Sequence, residues 1–185
     1  MSKNKFLSAL LLCVLGALPM PSAAERADRN QAVALDADTA TMDDASKTSV
    51  FAGKVVLTRG TLVIHADKLT VKQDANGFQY AVATGLPGQP ATFRQKRDGL
   101  EEYVEGKAER LEYDGKADQV QFVHQAQLKR GRDEVQGDLI VYDITTEFFR
   151  VSGGKPVAGA GASASPNKPG RVRAVIQPKN PEPAK

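Results

Sequence analysis

The sequence has very few residues of the kinds that build reactive or covalently braced sites. It contains one cysteine, two histidines and no tryptophan among 185 residues. The lone cysteine, Cys13, excludes an intramolecular disulfide and a thiolate metal cluster. The histidines, His65 and His124, have no partner at the spacing of a metal site or a catalytic pair, so we expect a structural or solvated role for each. We therefore expect no cofactor, no metal and no enzymatic activity.

Long apolar runs are also missing, except at the start of the chain. Lys3 and Lys5 precede an apolar run over residues 6–18, and small residues follow at 22–24. The run is too short to span the roughly 30 Å of membrane hydrocarbon. We interpret residues 1–24 as a cleaved secretory signal peptide, so Cys13 would be removed with it.

An excess of charge of one sign is missing as well. The chain carries 25 basic and 22 acidic residues, and two of the basic ones, Lys3 and Lys5, lie in the predicted signal peptide. The remaining chain is close to neutral. Because sequence-independent nucleic-acid binding depends on clustered cations, we expect no nucleic-acid partner.

What the sequence does contain is a short phrase that recurs four times, starting at Ala37, Ala66, Ala108 and Gly137. In each copy a small residue and a carboxylate precede two apolar or aromatic residues that lie two positions apart. Residues two apart share one face of a β-strand. Short and long spacings between the copies alternate, which indicates that a β-rich unit of about seventy residues is duplicated.

The carboxylates of the four phrases, Asp38, Asp67, Glu109 and Asp138, invite a calcium-binding interpretation. Their wide separation disfavours it, because calcium requires several oxygens at one point. We expect each carboxylate to accept backbone N–H bonds at a turn, in a structural role.

Turn residues at short intervals separate the alternating apolar segments from residue 31 to residue 152, which predicts an all-β chain. Glycine, alanine, serine and proline dominate residues 153–170, which are typical of a flexible loop. Residues 171–177 again have strand character and are expected to form a sheet edge. The proline-rich tail at 178–185 is expected to be disordered.

The alternating apolar residues predict one inward face, which comprises Val55, Leu57, Leu62, Ile64, Leu69, Val71, Phe93, Leu111, Tyr113, Phe122, Leu128, Ile140 and Tyr142. An ordinary filled core is one interpretation of this set. A twisted antiparallel sheet without a covering helix must, however, fold back on itself, and the enclosed side can then hold a ligand. The residues alone leave both interpretations open.

Taken together, several segments resemble the OstA-like, or LptA, family of periplasmic lipopolysaccharide export proteins. The resemblance covers residues 31–152 and extends to the strand at 171–177. The segments that carry it are 50–57, 59–61, 62–71, 88–93 and 104–113.

This resemblance implies a boat-shaped, twisted β-jellyroll of about sixteen antiparallel strands with an apolar groove, spanning residues 25–152. It also implies a periplasmic protein, peripheral to both membranes, that holds the acyl chains of lipid A in the groove. LptC would bind at the N-terminal edge and LptD at the C-terminal edge, and copies would join head to tail by strand addition.

By position, Val33, Phe93 and Tyr113 match lipid-contacting sites of the family, and the other inward residues follow from alternation. The resemblance places the partner edges at Ala32, Val33, Ala34 and Leu35 and at Val172, Ala174 and Ile176. Four cations near the expected groove mouth would meet lipid phosphates or stay solvated: Arg94, Lys96, Arg97 and Lys107.

The sequence departs from the family pattern in two places. His124 stands where the first half has Gly53, and the insertion at 153–170 precedes the last strand. The insertion bears on the expected docking edge at 171–177. Separately, two other functions compete with lipid transport. One is a structural or chaperone-like β-module with a filled core, and the other is a hydrolase, which the shortage of histidines disfavours.

Overall fold

The computed structural model describes residues 28, 31–74, 77–153 and 171–176. The predicted signal peptide, nearly all of the 153–170 segment and the 178–185 tail lie outside the described residues. The described chain is all-β, as predicted, with 12 antiparallel strands in one sheet. It contains no helix long and apolar enough to cross a membrane. The strands are β1 (Ala34–Asp36), β2 (Thr39–Asp43), β3 (Thr48–Arg59), β4 (Leu62–Asp74), β5 (Gly77–Thr84), β6 (Ala91–Lys96), β7 (Tyr103–Ala108), β8 (Arg110–Asp114), β9 (Gln119–Arg130), β10 (Asp133–Asp143), β11 (Phe149–Ser152) and β12 (Arg173–Val175).

The sheet folds into two layers because its four long strands change neighbours along their length. In β4, for example, residues 63–65 pair with β6 and residues 68–74 pair with β5. The lower layer has the order β1-β3-β4-β6-β7-β9-β10-β12, and the upper layer has the order β2-β3-β4-β5-β8-β9-β10-β11. When each long strand is counted once in each layer, the total matches the about sixteen segments that the family resemblance implied.

The two halves of the chain repeat one pairing plan. Strands β1 and β2 pair with β3 as β7 and β8 pair with β9. Strands β5 and β6 pair with β4 as β11 and β12 pair with β10. The halves join at the centre through β5 with β8 and β6 with β7. The duplication predicted from the recurring phrase is therefore confirmed.

The long strands bend along one line, here called the crease, where they pass between the layers. In β3 the bend falls at Gly53 (φ 82°) and Lys54 (φ 47°), and in β9 it falls at His124 (φ 63°) and Gln125 (φ 51°). Consecutive residues at positive φ form a bulge that turns a strand without ending it. His124 thus occupies the place of Gly53, as the sequence comparison of the halves predicted.

The recurring carboxylates all lie at the crease, and two of them, Glu109 and Asp138, have partners other than the turn N–H groups predicted for them. The Glu109 carboxylate accepts a 2.6 Å hydrogen bond from the Gln125 side chain, and an Asp138 oxygen lies 3.2 Å from His124 Nδ1. Both carboxylates face bulge side chains rather than turn N–H groups. For these two carboxylates the predicted partners were wrong, because the phrase lies where the chain passes between the layers, which resembles a turn in sequence.

Candidate functional site

The interior between the two layers contains the predicted lipid-binding face. Every inward residue predicted from alternation is at most 2% exposed, namely Val55, Leu57, Leu62, Ile64, Leu69, Val71, Phe93, Leu111, Tyr113, Phe122, Leu128, Ile140 and Tyr142. Val33 is only partly buried and packs against the edge of this set. The structure thus brings the predicted residues together on one continuous inner surface.

Three aromatic rings meet at the centre of the interior. The Phe93 ring, from the lower layer, lies edge-on to Phe122 and Tyr142 of the upper layer, at centroid distances of 5.6 Å and 6.0 Å. Such edge-on pairs add to the stability gained from burial. Gly106 makes room for this cluster, because a Cβ there would lie 2.3 Å from the Phe122 ring. Sequence reasoning missed Gly106, which alternation alone does not single out.

The side opposite the crease, here called the mouth, is where hairpin turns of the two layers meet. Arg59, at the end of β3, donates a hydrogen bond to the Tyr113 hydroxyl of the upper layer. Arg97, just after β6, donates from Nε and Nη2 to Glu147 Oε2 at 2.9 Å and 2.7 Å. The hydrogen bond to Glu147 is the main cause that raises the pKa of Arg97. Side chains therefore tie the layers together at the mouth.

The four cations expected near the mouth divide into two groups. Lys96 and Arg97 lie there, and Lys96 pairs with Glu101 at 2.6 Å. Arg94 and Lys107 instead line a depression of about 600 Å³ on the outer face of the lower layer. Placing these two at the mouth was wrong, because alternate residues of β6 and β7 point away from the interior.

Each end of the sheet carries two short edge strands. Within the described residues β1 and β2 pair only with β3, and β11 and β12 pair only with β10. The predicted edge residues lie there, with Val172 48% and Ile176 78% exposed. Gln177, also predicted, lies outside the described residues. Sequence reasoning missed β2 and β11 as edges, because the division of each long strand between two layers is visible only in the strand pairing.

The residues that the structure describes give little support for a metal site or a catalytic site. They contain no group of three histidine, cysteine, aspartate or glutamate side chains that could hold a metal ion. His65 is exposed on β4, and His124 lies at the crease with Asp138 as its partner. The two histidines thus lie on separate strands. What the site provides is an apolar interior and strand edges that are open to pairing.

The chain is similar to known proteins over most of its length. Residues 34–148 match the family described as LptA/(LptD N-terminal domain) LPS transport protein. The lipopolysaccharide export system protein LptH of Pseudomonas aeruginosa is 31% identical over 163 residues, 88% of this chain and 86% of the relative. The lipopolysaccharide export system protein LptA of Escherichia coli K12 is 32% identical over 136 residues, 74% of this chain and 72% of the relative.

A solved structure shows the same fold. The crystal structure of LptH, described as the LptA-homologous periplasmic component of the lipopolysaccharide transport device of Pseudomonas aeruginosa, matches with a TM-score of 0.69 and 28% identity. The match covers 82% of this chain and 99% of that one. Because the family model matches more than half of the chain, the protein belongs to the LptA/(LptD N-terminal domain) family of LPS transport proteins.

Proposed function

We propose that this protein is a periplasmic, non-enzymatic carrier of lipopolysaccharide that helps to bridge the inner and outer membranes. The acyl chains of lipid A lie in the interior between the two layers. The observation that carries the proposal is the continuous row of inward apolar side chains from one open edge of the sheet to the other. The names of the relatives, which are lipopolysaccharide export proteins, support the same assignment.

Acyl chains gain about 0.8 kcal/mol for each CH₂ group moved out of water, so an apolar interior strongly favours them. The two inner faces pack against each other, as the low exposure of Phe93, Phe122 and Tyr142 shows. Lipid must therefore replace these contacts with its own chains. The strands are continuous at the crease, so the layers part most easily at the mouth.

Strand addition at the open edges would join copies head to tail, with LptC at the N-terminal edge and LptD at the C-terminal edge. The central junction supplies a template, because β11 and β12 have the places of β5 and β6, and β2 and β1 have the places of β8 and β7. Transferring the central registers puts Phe149 opposite Met42 of the next copy. It likewise puts Ala174 opposite Leu35 and Ile176 opposite Val33.

Photo-crosslinking in cells that make lipopolysaccharide tests the carrier role. A photoreactive residue at Phe93 is expected to form a lipopolysaccharide adduct, since Phe93 is central and 2% exposed. The same probe at Lys68, which is exposed on β4, is the matched control and is expected to form none. Absence of adducts at Phe93, Tyr113 and Ile140 would contradict the proposal.

Sedimentation over a range of protein concentrations tests the bridge. The variant Ile176→Asp places a charge on the C-terminal edge and is expected to abolish the growth of oligomers with concentration. Leu100→Asp is the control, because it makes a similar change of polarity at an exposed loop residue, and it is expected to assemble like the wild type. Equal assembly of both variants would remove the strand-addition model.

One observation favours a second candidate, a structural or chaperone-like module that binds only proteins. The inward residues fill the interior, with Leu57, Leu69 and Phe122 at 0% exposure. Such a module would retain no lipid on purification. Phe93→Asp would then leave lipid binding unaffected, whereas the carrier model expects it to be lost.

A further inference from the structure

The mouth is held shut by an ion pair between the two layers. Arg97 follows β6 in the lower layer, and Glu147 lies just before β11 in the upper layer. Their charged groups are 2.7 Å apart, and the side chains are only 20% and 21% exposed. Charge-assisted hydrogen bonds with limited access to water are stronger than ordinary surface pairs.

The turn that carries Glu147 is built to hold this carboxylate in place. Glu147 has a φ of 54°, a conformation that non-glycine residues rarely adopt. The turn is fixed by the Asp143 N–H donating to the Phe148 carbonyl at 2.8 Å and the Thr146 N–H donating to the Asp143 carboxylate at 2.8 Å. Lys47 and Asp118 have the same positive φ at the ends of the Asp43 and Asp114 turns, so this turn belongs to the repeat and fixes the position of the Glu147 backbone.

The lower layer contributes a second arginine to the same place. Arg130, at the end of β9, lies with its guanidinium 5.1 Å from the Phe149 ring, and its Nη1 donates to the Glu147 carbonyl at 3.4 Å. Arg59 has the same place in the first half and donates to Tyr113. Each half of the repeat thus directs an arginine from the lower layer to the upper layer across the mouth.

Arg97 is also suited to a different partner. Its guanidinium already binds two carboxylates, because Nη1 donates to Glu102 at 2.7 Å while Nε and Nη2 donate to Glu147. The planar fork of donors fits a phosphate as well as a carboxylate. A phosphate group at the mouth would therefore compete directly with Glu147.

We propose that Arg97 and Glu147 form a latch across the mouth, and that the phosphate of an amphiphile displaces Glu147 from Arg97 while its acyl chains enter the interior. The proposal rests on the proposed function for the identity of the amphiphile. In this proposal the headgroup has two roles. It is part of the carried amphiphile, and its phosphate opens the mouth so that the acyl chains can enter.

The variant Glu147→Gln tests the latch, because it keeps the shape of the side chain and removes its charge. Glu101→Gln is the matched control, since Glu101 pairs with Lys96 within one hairpin of the lower layer and not across the mouth. Purified lipid A, with or without its phosphates, is offered to the full chain, and the rate of uptake is measured. We expect Glu147→Gln to raise the rate for dephosphorylated lipid A roughly three- to tenfold, and Glu101→Gln to leave it unchanged.

For phosphorylated lipid A we expect a smaller gain from Glu147→Gln, because the phosphate itself releases the latch in the wild type. Equal rates for wild type and Glu147→Gln with both lipids would overturn the latch. An equal gain with both lipids would overturn the displacement by phosphate. The exchange variant Arg97→Glu with Glu147→Arg restores an ion pair and is expected to return slow uptake of dephosphorylated lipid A, which separates loss of the latch from faulty folding.

Spin labels at Asp98 and Arg150, exposed residues on opposite sides of the mouth, keep this test independent of the carrier role. Without any lipid, the distance distribution is expected to be broader and longer in Glu147→Gln than in the wild type. Unchanged distances would overturn the latch. If wild-type protein takes up no lipid while the label distances still respond to Glu147→Gln, the proposed function fails and the latch remains.

Discussion

The central junction and the two free edges are built from equivalent strands, yet they bury equivalent side chains very differently. Tyr113, on β8, is 2% exposed, whereas Met42 at the same place on β2 is 70% exposed. Gln95, on β6, is 4% exposed, whereas Ile176 at the same place beside β12 is 78% exposed. The edge strands thus leave apolar side chains exposed in the single chain, whereas a neighbouring strand covers their equivalents at the centre.

The central junction and the edges also differ in which of the two equivalent strands carries the large side chain. At the centre, Phe93 of β6 lies opposite Gly106 of β7. At the edges the equivalent residues are Ala174 of β12 and Leu35 of β1, so the small residue is on the other strand. Under the proposed head-to-tail assembly, Ala174 of one copy would lie opposite Leu35 of the next, again a small residue facing a large one. If β1 stood in the place of β7 beside β6, Leu35 would lie opposite Phe93, and the two large side chains would compete for the same space.

The largest expected contrast is between Tyr113→Ala and Met42→Ala. Removing the buried Tyr113 side chain leaves a cavity and should lower the free energy of unfolding by about 3–5 kcal/mol. Removing the exposed Met42 side chain should change it by less than about 0.5 kcal/mol. Urea denaturation at a concentration where the protein is monomeric measures both. Similar losses for the two variants would break the contrast between centre and edge.

A smaller effect is expected from Gly106→Ala at the centre. The added Cβ overlaps the Phe122 ring, and overpacking of this kind should cost about 1–3 kcal/mol of unfolding free energy. Adding Phe122→Leu should make the two changes non-additive, because the smaller side chain vacates the space. A double-mutant cycle measures this coupling, and strictly additive losses would show that Gly106 is not needed for Phe122.

The crease extends the comparison from the strands to their bends. Next to the N-terminal edge, Gly53 has a φ of 82°, and a Cβ there would lie 2.4 Å from Asp38 Oδ2. Gly53→Ala should therefore cost about 1–2 kcal/mol of unfolding free energy. His124, at the equivalent bend, already carries a side chain, so His124→Ala should cost less than about 0.5 kcal/mol. Thermal denaturation of both variants measures these losses of stability. A larger loss for His124→Ala than for Gly53→Ala would contradict the expectation.

The smallest effect concerns a hydrogen bond on the outer face of the central junction. Tyr80 of β5 donates to Glu112 of β8, and burial together with this bond raises the pKa of Tyr80 to about 12. A raised pKa means that the neutral hydroxyl is favoured in the folded state. Its contribution to stability is therefore present below pH 10 and is lost as the pH rises from 10 towards 12. At the edge the equivalent residue is Phe148, which is 61% exposed and does not ionise.

Absorbance at 295 nm during alkaline titration follows the tyrosines directly. Tyr80→Phe is expected to lower the amplitude of the absorbance change near pH 12, and Glu112→Gln is expected to move that part of the change to lower pH. If Tyr80→Phe left the absorbance change near pH 12 unaltered, the raised pKa assigned to Tyr80 would be wrong.

Much of the inner face was predictable from the sequence, because a strand exposes alternate residues to opposite sides. Residues from Val55 to Tyr142 that were predicted to point inward are buried in the structure. The duplication was also predictable, since the phrases at Ala66 and Gly137 recur where β4 and β10 change layers. The place of His124 at a bend followed from aligning the two halves.

By itself, then, the sequence determined the strands, the face of each side chain and the repeat, because these depend on neighbours close in the chain. Only the tertiary structure decided which side chains meet across the layers. Gly106 lies under Phe122, and Arg97 reaches Glu147, only because the sheet folds at the crease in one register. Contacts of this kind join residues far apart in sequence, and no local period of the chain encodes them.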